Sequence, residues 1–380
     1  MNLLIHDLNK EEFVRIADQY KDCTIVSDEG TIRPCVGCFS CWNKTPGQCI
    51  VKDGYDNMGY LIHHADEVKV ISRYTYGGFS SFVKNVFDRS LGYVLPHFEL
   101  VNGESHHQKR YQEIKPYTFI FYGHNLSEEE KENAIRYVKA VATNMRTEVK
   151  DVIFEEKDKD EVRRNTEAET SGKIVLLNAS MRSADGNSAA LAKELQKRIN
   201  RKSELINLSM YQNKPDELVK ELEDVETLVL CTPLYVDGLP SQLIRLMETY
   251  ERNYTGKAKK IYVLANMGLY ESKQLVNLLS QTKKWCELMN FEYNGSVAIG
   301  AGELVGGLMK AIPLEKGFTK KIAEAEDKLA KAIDDNSKID DIYTGTESFP
   351  RFLYMAIANS GWKRMAKANG IDPKELYRKL

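Results

Sequence analysis

Short apolar runs of β character alternate with longer stretches of helical spacing along this chain, and the alternation is run through twice. The first pass has strand-like runs at Asn2–His6 (NLLIH), Thr24–Val26, Val68–Ser72 (VKVIS), Tyr117–Tyr122 (YTFIFY) and Val149–Phe154. Helical spacing lies between them, over Lys10–Tyr20, Asn57–His64 and Ser80–Leu91. A further helix starts at Ser127, where Glu130 three residues on makes a capping box, and runs to about Met145. The second pass repeats the order. Its strands are Lys173–Leu177 (KIVLL), Glu204–Asn207, Thr227–Cys231 (TLVLC), Lys260–Ala265 and Ser296–Gly300. Its helices are Ala189–Ile199, Asp216–Leu222, Ser241–Tyr250, Ser272–Met289 and about Thr319–Ile333. Five strands alternating with helices imply a parallel, doubly wound sheet covered on both faces. The fold class is therefore α/β, with two tandem three-layer α/β/α domains of five-stranded parallel sheet. The expected boundaries are 1–155 and 173–333, joined by a charged linker at 156–172. Residues 334–380 form a C-terminal helical extension, an amphipathic pair split at Gly370-Ile371-Asp372-Pro373.

Composition narrows the function classes. With 53 Lys+Arg against 55 Asp+Glu and 42% hydrophobic residues, the chain has the apolar content of packed cores. It lacks the basic excess of a protein that holds nucleic acid by neutralising phosphates. No apolar run approaches the ~18–20 residues that span a bilayer. Met1–Lys10 turns polar after Ile5, so it does not read as a secretory segment, and a cytoplasmic location is the expectation.

Three loops of the second pass carry the chemistry. Asn178–Ser188 (NASMRSADGNS) lies between its first strand and first helix, where open α/β sheets bind phosphate at a helix N-terminus. Ser180, Ser183 and Ser188 offer hydroxyls, Gly186 lets the backbone approach, and Arg182 supplies a fixed positive charge. The Gly-Lys-Ser/Thr ending of a triphosphate loop is missing, which favours a phosphomonoester over ATP. An ordinary capped turn is the plainer alternative. In a sheet of order 2-1-3-4-5 the loop after the third strand, Thr232–Pro240 (TPLYVDGLP), shares the crevice. Tyr235 can stack beside a flat ring, and backbone amides through Gly238 can meet its heteroatoms. Asn266–Glu271 (NMGLYE) borders the same space after the fourth strand. One loop for phosphate and two for a planar ring describe a mononucleotide site.

In order and spacing, NASMRSADGNS, TPLYVDGLPSQL and NMGLYE resemble the NADPH-dependent FMN reductase branch of the flavodoxin-like fold, over about Lys173–Leu308. The resemblance implies FMN, its phosphate held by Ser180, Arg182, Ser183, Asn187 and Ser188. It sets the ring against Pro233, Leu234, Tyr235, Val236, Asp237 and Gly238 on one side, and against Asn266, Gly268 and Tyr270 on the other. It further implies NAD(P)H as co-substrate and a ping-pong hydride cycle that reduces flavins, quinones or similar small acceptors. No catalytic side chain is required, because the cofactor carries the chemistry.

The first pass resembles the same family unevenly. Tyr74–Phe79 (YTYGGF) matches the ring-holding loop, but the phosphate loop is replaced by His6–Glu12 (HDLNKEE), whose Asp7, Glu11 and Glu12 would repel a dianion. The first domain is therefore expected to hold no FMN of its own. Because related proteins build flavin sites across a dimer interface, its aromatic loop either borders the second domain's flavin, making a pseudo-dimer within one chain, or the domain is a scaffold. The resemblance also allows a homodimer.

Cys35, Cys38, Cys41 and Cys49 sit in the loop PCVGCFSCWNKTPGQCIVKD with spacing C-x2-C-x2-C-x7-C. Three closely spaced thiols and a returning fourth can grip an iron–sulfur cube, whereas zinc favours two separated C-x2-C pairs. The loop resembles the compact motif of iron–sulfur flavoproteins, with a longer last gap. A [4Fe–4S] cluster leads the metal options, and a metal-free thiol-rich loop is the alternative. With a cluster the chain would be an electron carrier passing single electrons to a redox protein. Cys23, Cys231 and Cys286 read as core thiols. The glycines of GAGELVGG (300–307) read as a flexible edge-strand loop, and His63-His64 and His106-His107 as surface residues, the latter pair in a polar loop.

Overall fold

The computed structural model describes residues 1–157, 172–182, 186–346 and 348–380. The chain divides into two units, Met1–Asp160 together with Met355–Leu380, and Glu161–Tyr354.

The first unit contains β1 (Asn2–His6), β2 (Cys23–Ser27), β3 (Val68–Arg73), β4 (Val94–Val101), β5 (Glu104–Lys109), β6 (Pro116–Gly123) and β7 (Glu148–Glu156). Five of these form one parallel sheet in the order β2-β1-β3-β6-β7. Counted among the sheet strands alone this is 2-1-3-4-5, the order of flavodoxin-like folds. The central strands β1 and β3 are buried almost throughout, as strands covered by helices on both faces must be. The long helix Glu128–Met145 begins with the expected capping box, the Ser127 and Glu130 side chains each meeting the other's backbone amide.

The antiparallel hairpin of β4 and β5 departs from the expected alternation. Its turn is Asn102-Gly103, at φ 52° and 87°, the residue pair that a two-residue hairpin turn favours. His106 and His107 belong to β5 and are not surface residues of a polar loop. His106 is buried and meets Asn144 Oδ1 at 2.6 Å, while the His107 ring packs on Trp42 and Phe98, at 4.7 and 5.0 Å between centroids.

The second unit contains β8 (Lys173–Asn178), β9 (Ser203–Asn207), β10 (Val225–Pro233), β11 (Lys260–Asn266), β12 (Glu292–Ile299) and β13 (Ile342–Thr344). Its parallel sheet has six strands, β13-β12-β11-β10-β8-β9, where five were expected. The sixth comes from the stretch read as a helical tail. Three residues are too short to show a period, and β13 exists because Val297–Ile299 present an edge for it to pair with. The tail also carries the helix Arg351–Ala368 and a short 3-10 turn, Pro373–Tyr377. Among the described residues no helix is long and apolar enough to cross a membrane.

On one face of this sheet, Leu176, Val229, Tyr262, Leu264 and Val297 pack against helices Asn187–Arg198 and Lys320–Asp334. Each fully buried aliphatic side chain there contributes about 1.5–3 kcal/mol. The two helices are also tied by charge. Arg198, in the last turn of the first helix, donates to Glu326 Oε2 at 3.2 Å and to Asp327 Oδ1 at 2.6 Å, and pairs with Glu315. Glu326 is fully buried, and its Oε1 has no partner among the described residues. Burial pushes its carboxyl up from 4.5 to about 8, against the opposing pull of Arg198. A carboxyl whose folded value is raised stabilises fully below its unfolded value and loses that contribution as pH climbs through the folded one. The Tm of the protein should therefore fall by several degrees between pH 5 and 8 relative to that of Glu326→Gln. A calorimetric pH series checks this, and parallel curves for the two proteins would contradict it.

Candidate functional site

The strands β8 and β10 are neighbours, Asn178 opposite Cys231, so the loops that leave their carboxyl ends open from one edge at the switch point of the sheet. The loop after β8 is set by side chains reaching its backbone. Asn178 accepts the Ser180 amide at 3.1 Å and donates to Asn207 Oδ1 at 2.8 Å, and Ser180 Oγ accepts the Arg182 amide at 3.3 Å. The chain then enters the twelve-residue helix Asn187–Arg198 with Gly186 at its N-cap and, among the described residues, no side-chain capping hydrogen bond. A helix start without a cap presents amide donors and the positive end of its dipole to an anion. A Cβ on Gly186 would lie 3.0 Å from Ser180 Oγ, so glycine is what lets cap and loop close together.

The residues expected to hold phosphate gather here with different tasks. Ser180 and Ser188 are buried and Arg182 is exposed. The Ser188 hydroxyl donates to Asn266 Oδ1 at 2.6 Å, tying this helix to the loop after β11, so what Ser188 can offer an anion is its backbone amide. The Asn187 side chain lies beside Gly306, and Arg182 Nη1 stands 4.0 Å from Glu303 Oε1. Ser183 lies outside the described residues.

The loop after β10 is a tight hairpin turn. The Tyr235 and Gly238 amides each donate to the other's carbonyl, at 3.1 and 3.0 Å, while Val236 and Asp237 take φ of 36° and 60°. A β-branched residue at positive φ is strained, and such strain concentrates where a backbone is held for a ligand. The Leu234 amide donates to the Asn266 carbonyl at 2.9 Å. Three amides expected to face a ring are therefore used inside the protein, and any offered to one comes from the turn's tip. Pro233, Leu234, Tyr235 and Val236 are half-buried, Asp237 and Gly238 buried.

Side chains that the sequence pattern did not single out fasten the third loop. The Tyr270 hydroxyl donates to the Phe349 carbonyl at 2.8 Å, the Tyr354 hydroxyl donates to the Gly268 carbonyl, and Arg351 Nη1 meets Glu271 at 2.9 Å. The GAGELVGG segment is the helix Gly302–Leu308 and not a flexible loop. Its first two glycines, Gly300 and Gly302, are needed for close approach. A Cβ at Gly300 would stand 2.3 Å from the Tyr270 carbonyl oxygen, and one at Gly302 would be 2.9 Å from that of Met267.

The same position in the first unit is closed. The five-residue helix Lys10–Val14 is capped by Asn9, whose side chain accepts the Glu12 amide, with Glu12 returning the bond. Glu12 also pairs with Lys157 at 3.0 Å. The Asp7 carboxylate accepts the Arg73 amide at 2.9 Å, so a carboxylate already stands at the switch point between β1 and β3. Burial pushes the Asp7 carboxyl up, against hydrogen bonds from the Ser80 hydroxyl, the Arg73 amide and the Tyr122 hydroxyl. The ring-side turn survives there. Thr75 and Gly78 exchange amide hydrogen bonds at 3.0 and 2.9 Å around Tyr76 and Gly77, at φ 54° and 92°. The residues present thus fit a flavin mononucleotide's phosphate in the second unit and not in the first.

In the cysteine loop, Gly37, Phe39 and Gly47 take φ of 61°, 56° and 90°, turning the chain so that Cys35, Cys38, Cys41 and Cys49 wall one recess with Asp88 and Arg89. Trp42 anchors the loop through its Nε1, which donates to the Leu91 and Val94 carbonyls at 3.1 and 3.0 Å. Burial pushes the Cys35 thiol up to about 12, and the charges of Asp88, Cys49 and Cys38 add to it. Among the described residues no three His, Cys, Asp or Glu side chains stand close enough to hold a single metal ion, these thiols included. Tetrahedral zinc at 2.3 Å from each sulfur would need them about 3.8 Å apart. The recess that the four thiols wall holds about 20 Å³.

No family model and no curated protein matches the sequence. Among solved structures the chain is similar to the Trp repressor binding protein from Bacillus subtilis, with 21% identity over 34% of this chain and 84% of that one at a TM-score of 0.29. It is similar to a flavone reductase, with 13% identity over 48% and 70% at 0.32. It is also similar to an azoreductase from Bacillus anthracis str. Sterne, with 14% identity over 43% and 99% at 0.30.

The glycine contacts yield a paired test. Gly300→Ala sets a methyl against backbone and should cost about 1–3 kcal/mol, read as a lower Tm. Gly307, whose Cβ would meet nothing within 4 Å, should accept alanine without loss. Equal Tm values for both variants and the parent would refute the close-packed arrangement.

Proposed function

We propose that the second unit holds FMN and that the protein is an NAD(P)H-dependent oxidoreductase acting on flavins, quinones or similar small acceptors. The observation that carries this is the glycine-led helix start at Gly186, beside Ser180 and Arg182 and next to the strained turn Tyr235–Gly238. The amides of that helix start and the Arg182 guanidinium bind the phosphate. The turn and the loop Asn266–Tyr270 hold the ring between them, and Tyr354, through Gly268, keeps the second loop in place. Bound FMN supplies hydride chemistry, accepting from a nicotinamide and giving to a second substrate at the same face. The chain's own part is to bind, orient and exclude water.

Arg182→Ala should weaken FMN binding about tenfold, the size of one charge-assisted hydrogen bond lost at an exposed site. Asp7→Asn should leave it unchanged, and fluorescence titration reads both. Equal weakening by the two variants would overturn a single site in the second unit. Bleaching of the bound flavin on addition of NADPH or NADH tests turnover.

A second reading rests on the four thiols that wall one recess in the first unit: an iron–sulfur flavoprotein whose Cys35, Cys38, Cys41 and Cys49 hold a [4Fe–4S] cluster and serve a redox-protein partner. The visible spectrum of anaerobically purified protein separates the two. Flavin bands alone favour the reductase, and an added broad absorbance favours the carrier.

A further inference from the structure

Ser188 is the second residue of the helix that follows β8, where a hydroxyl is expected to face an anion. A serine has one O–H to give, and this one goes to Asn266 Oδ1 at 2.6 Å, with both side chains buried. A fully charged phosphate can only accept hydrogen bonds, so the hydroxyl has nothing left to donate to it. Asn266 ends β11 and faces three ways. Its Oδ1 takes the Ser188 hydroxyl, and its main-chain carbonyl accepts the Leu234 amide at 2.9 Å. Its Nδ2 packs on Gly302, where a Cβ would stand 3.1 Å away. Leu234 leads directly into the strained turn Tyr235–Gly238. Met267, the residue after Asn266, donates to the Ile299 carbonyl at 3.0 Å and accepts the Gly302 amide at 2.7 Å. Asn266 thus joins the helix start to the turn after β10 and to the loop after β11.

We propose that the Ser188 side chain is a positioning group for the flavin ring and not a phosphate ligand: through Asn266 its hydroxyl fixes the turn Tyr235–Gly238 and the loop Asn266–Tyr270. This rests on the FMN reading above and refines it. Removing the hydroxyl leaves Asn266 Oδ1 buried without its donor, a costly state that drives the side chain toward another partner. Any such adjustment is felt at Leu234, whose amide is held by the carbonyl of the same residue. The phosphate, by contrast, keeps Arg182 and the amides of the helix start. Loss of this one hydroxyl therefore acts on the ring, although the residue stands in the phosphate loop.

Riboflavin, which has the ring and no phosphate, separates the two roles. The full chain and its Ser188→Ala and Arg182→Ala variants are titrated with riboflavin and with FMN by fluorescence. Ser188→Ala should weaken both flavins by the same factor, about fivefold, the size of one buried hydrogen bond. Arg182→Ala should weaken FMN alone. The visible spectrum of bound FMN, which reports what surrounds the ring, should differ from the parent's in Ser188→Ala and match it in Arg182→Ala. A Ser188→Ala chain that holds riboflavin as the parent does, whether or not it loses FMN, would overturn the proposal. Hydrogen exchange of the unliganded chains needs no flavin: peptides covering 232–240 and 264–270 should exchange faster in Ser188→Ala than in the parent, and those covering 320–334 at the parental rate. If the parent binds neither flavin, the FMN reading fails and exchange alone decides the positioning role. Faster exchange in both loops then supports it, and parental exchange overturns it.

Discussion

What stands at the first helix's N-terminus separates the two repeats, and the rest of the site follows from it. A helix start has amide donors that need acceptors, and either the chain provides one or a ligand does. In the first unit Asn9 and Glu12 form a capping box and the Asp7 carboxylate takes the Arg73 amide, so both demand and space are met internally. In the second, Gly186 brings no side chain, and the Ser188 hydroxyl is turned to Asn266. The same topology thus yields one helix start closed by a capping box and one that begins at a glycine.

Around that second helix start the protein spends conformational strain and close packing. Val236 and Asp237 sit at positive φ in a turn whose counterpart in the first unit uses Tyr76 and Gly77. The turn therefore has the same form whether the neighbouring helix start is closed by a capping box or begins at a glycine. On the far side, Gly300 and Gly302 let a helix press against the backbone of the loop after β11, and Phe349, Arg351 and Tyr354 fasten that loop. The cysteine loop follows a parallel logic: φ-positive residues bend it, Trp42 anchors its apolar side, and Arg89 closes its polar one.

Much of this was legible along the chain because central parallel strands are buried on both faces and so read as unbroken apolar runs. The Ser127–Glu130 capping box marked its helix start correctly, and the three second-unit loops lie at the carboxyl ends of the expected strands. The Asn102-Gly103 pair was a hairpin signal, but the polar stretch after it, Glu104–Lys109, masked β5. The strand β13 left no signal, since three residues carry no period and its stability comes from an edge made elsewhere. His106 and His107 looked like surface residues because a histidine's burial depends on the rings and amides that surround it, here Asn144, Trp42 and Phe98.

By itself the sequence determined the repeated α/β order, the places where loops could carry chemistry, and the acidic character of the loop after the first strand, because apolar periodicity, glycine and charge are local properties. Tertiary structure decided which donors remain for a ligand. The Ser188 hydroxyl and the Leu234 amide are both committed to Asn266, and a glycine run that reads as flexible is a packed helix. The physical reason is that a hydrogen-bonding group has a fixed number of partners, and which partner it takes depends on chain segments distant in sequence that the fold brings within 3 Å.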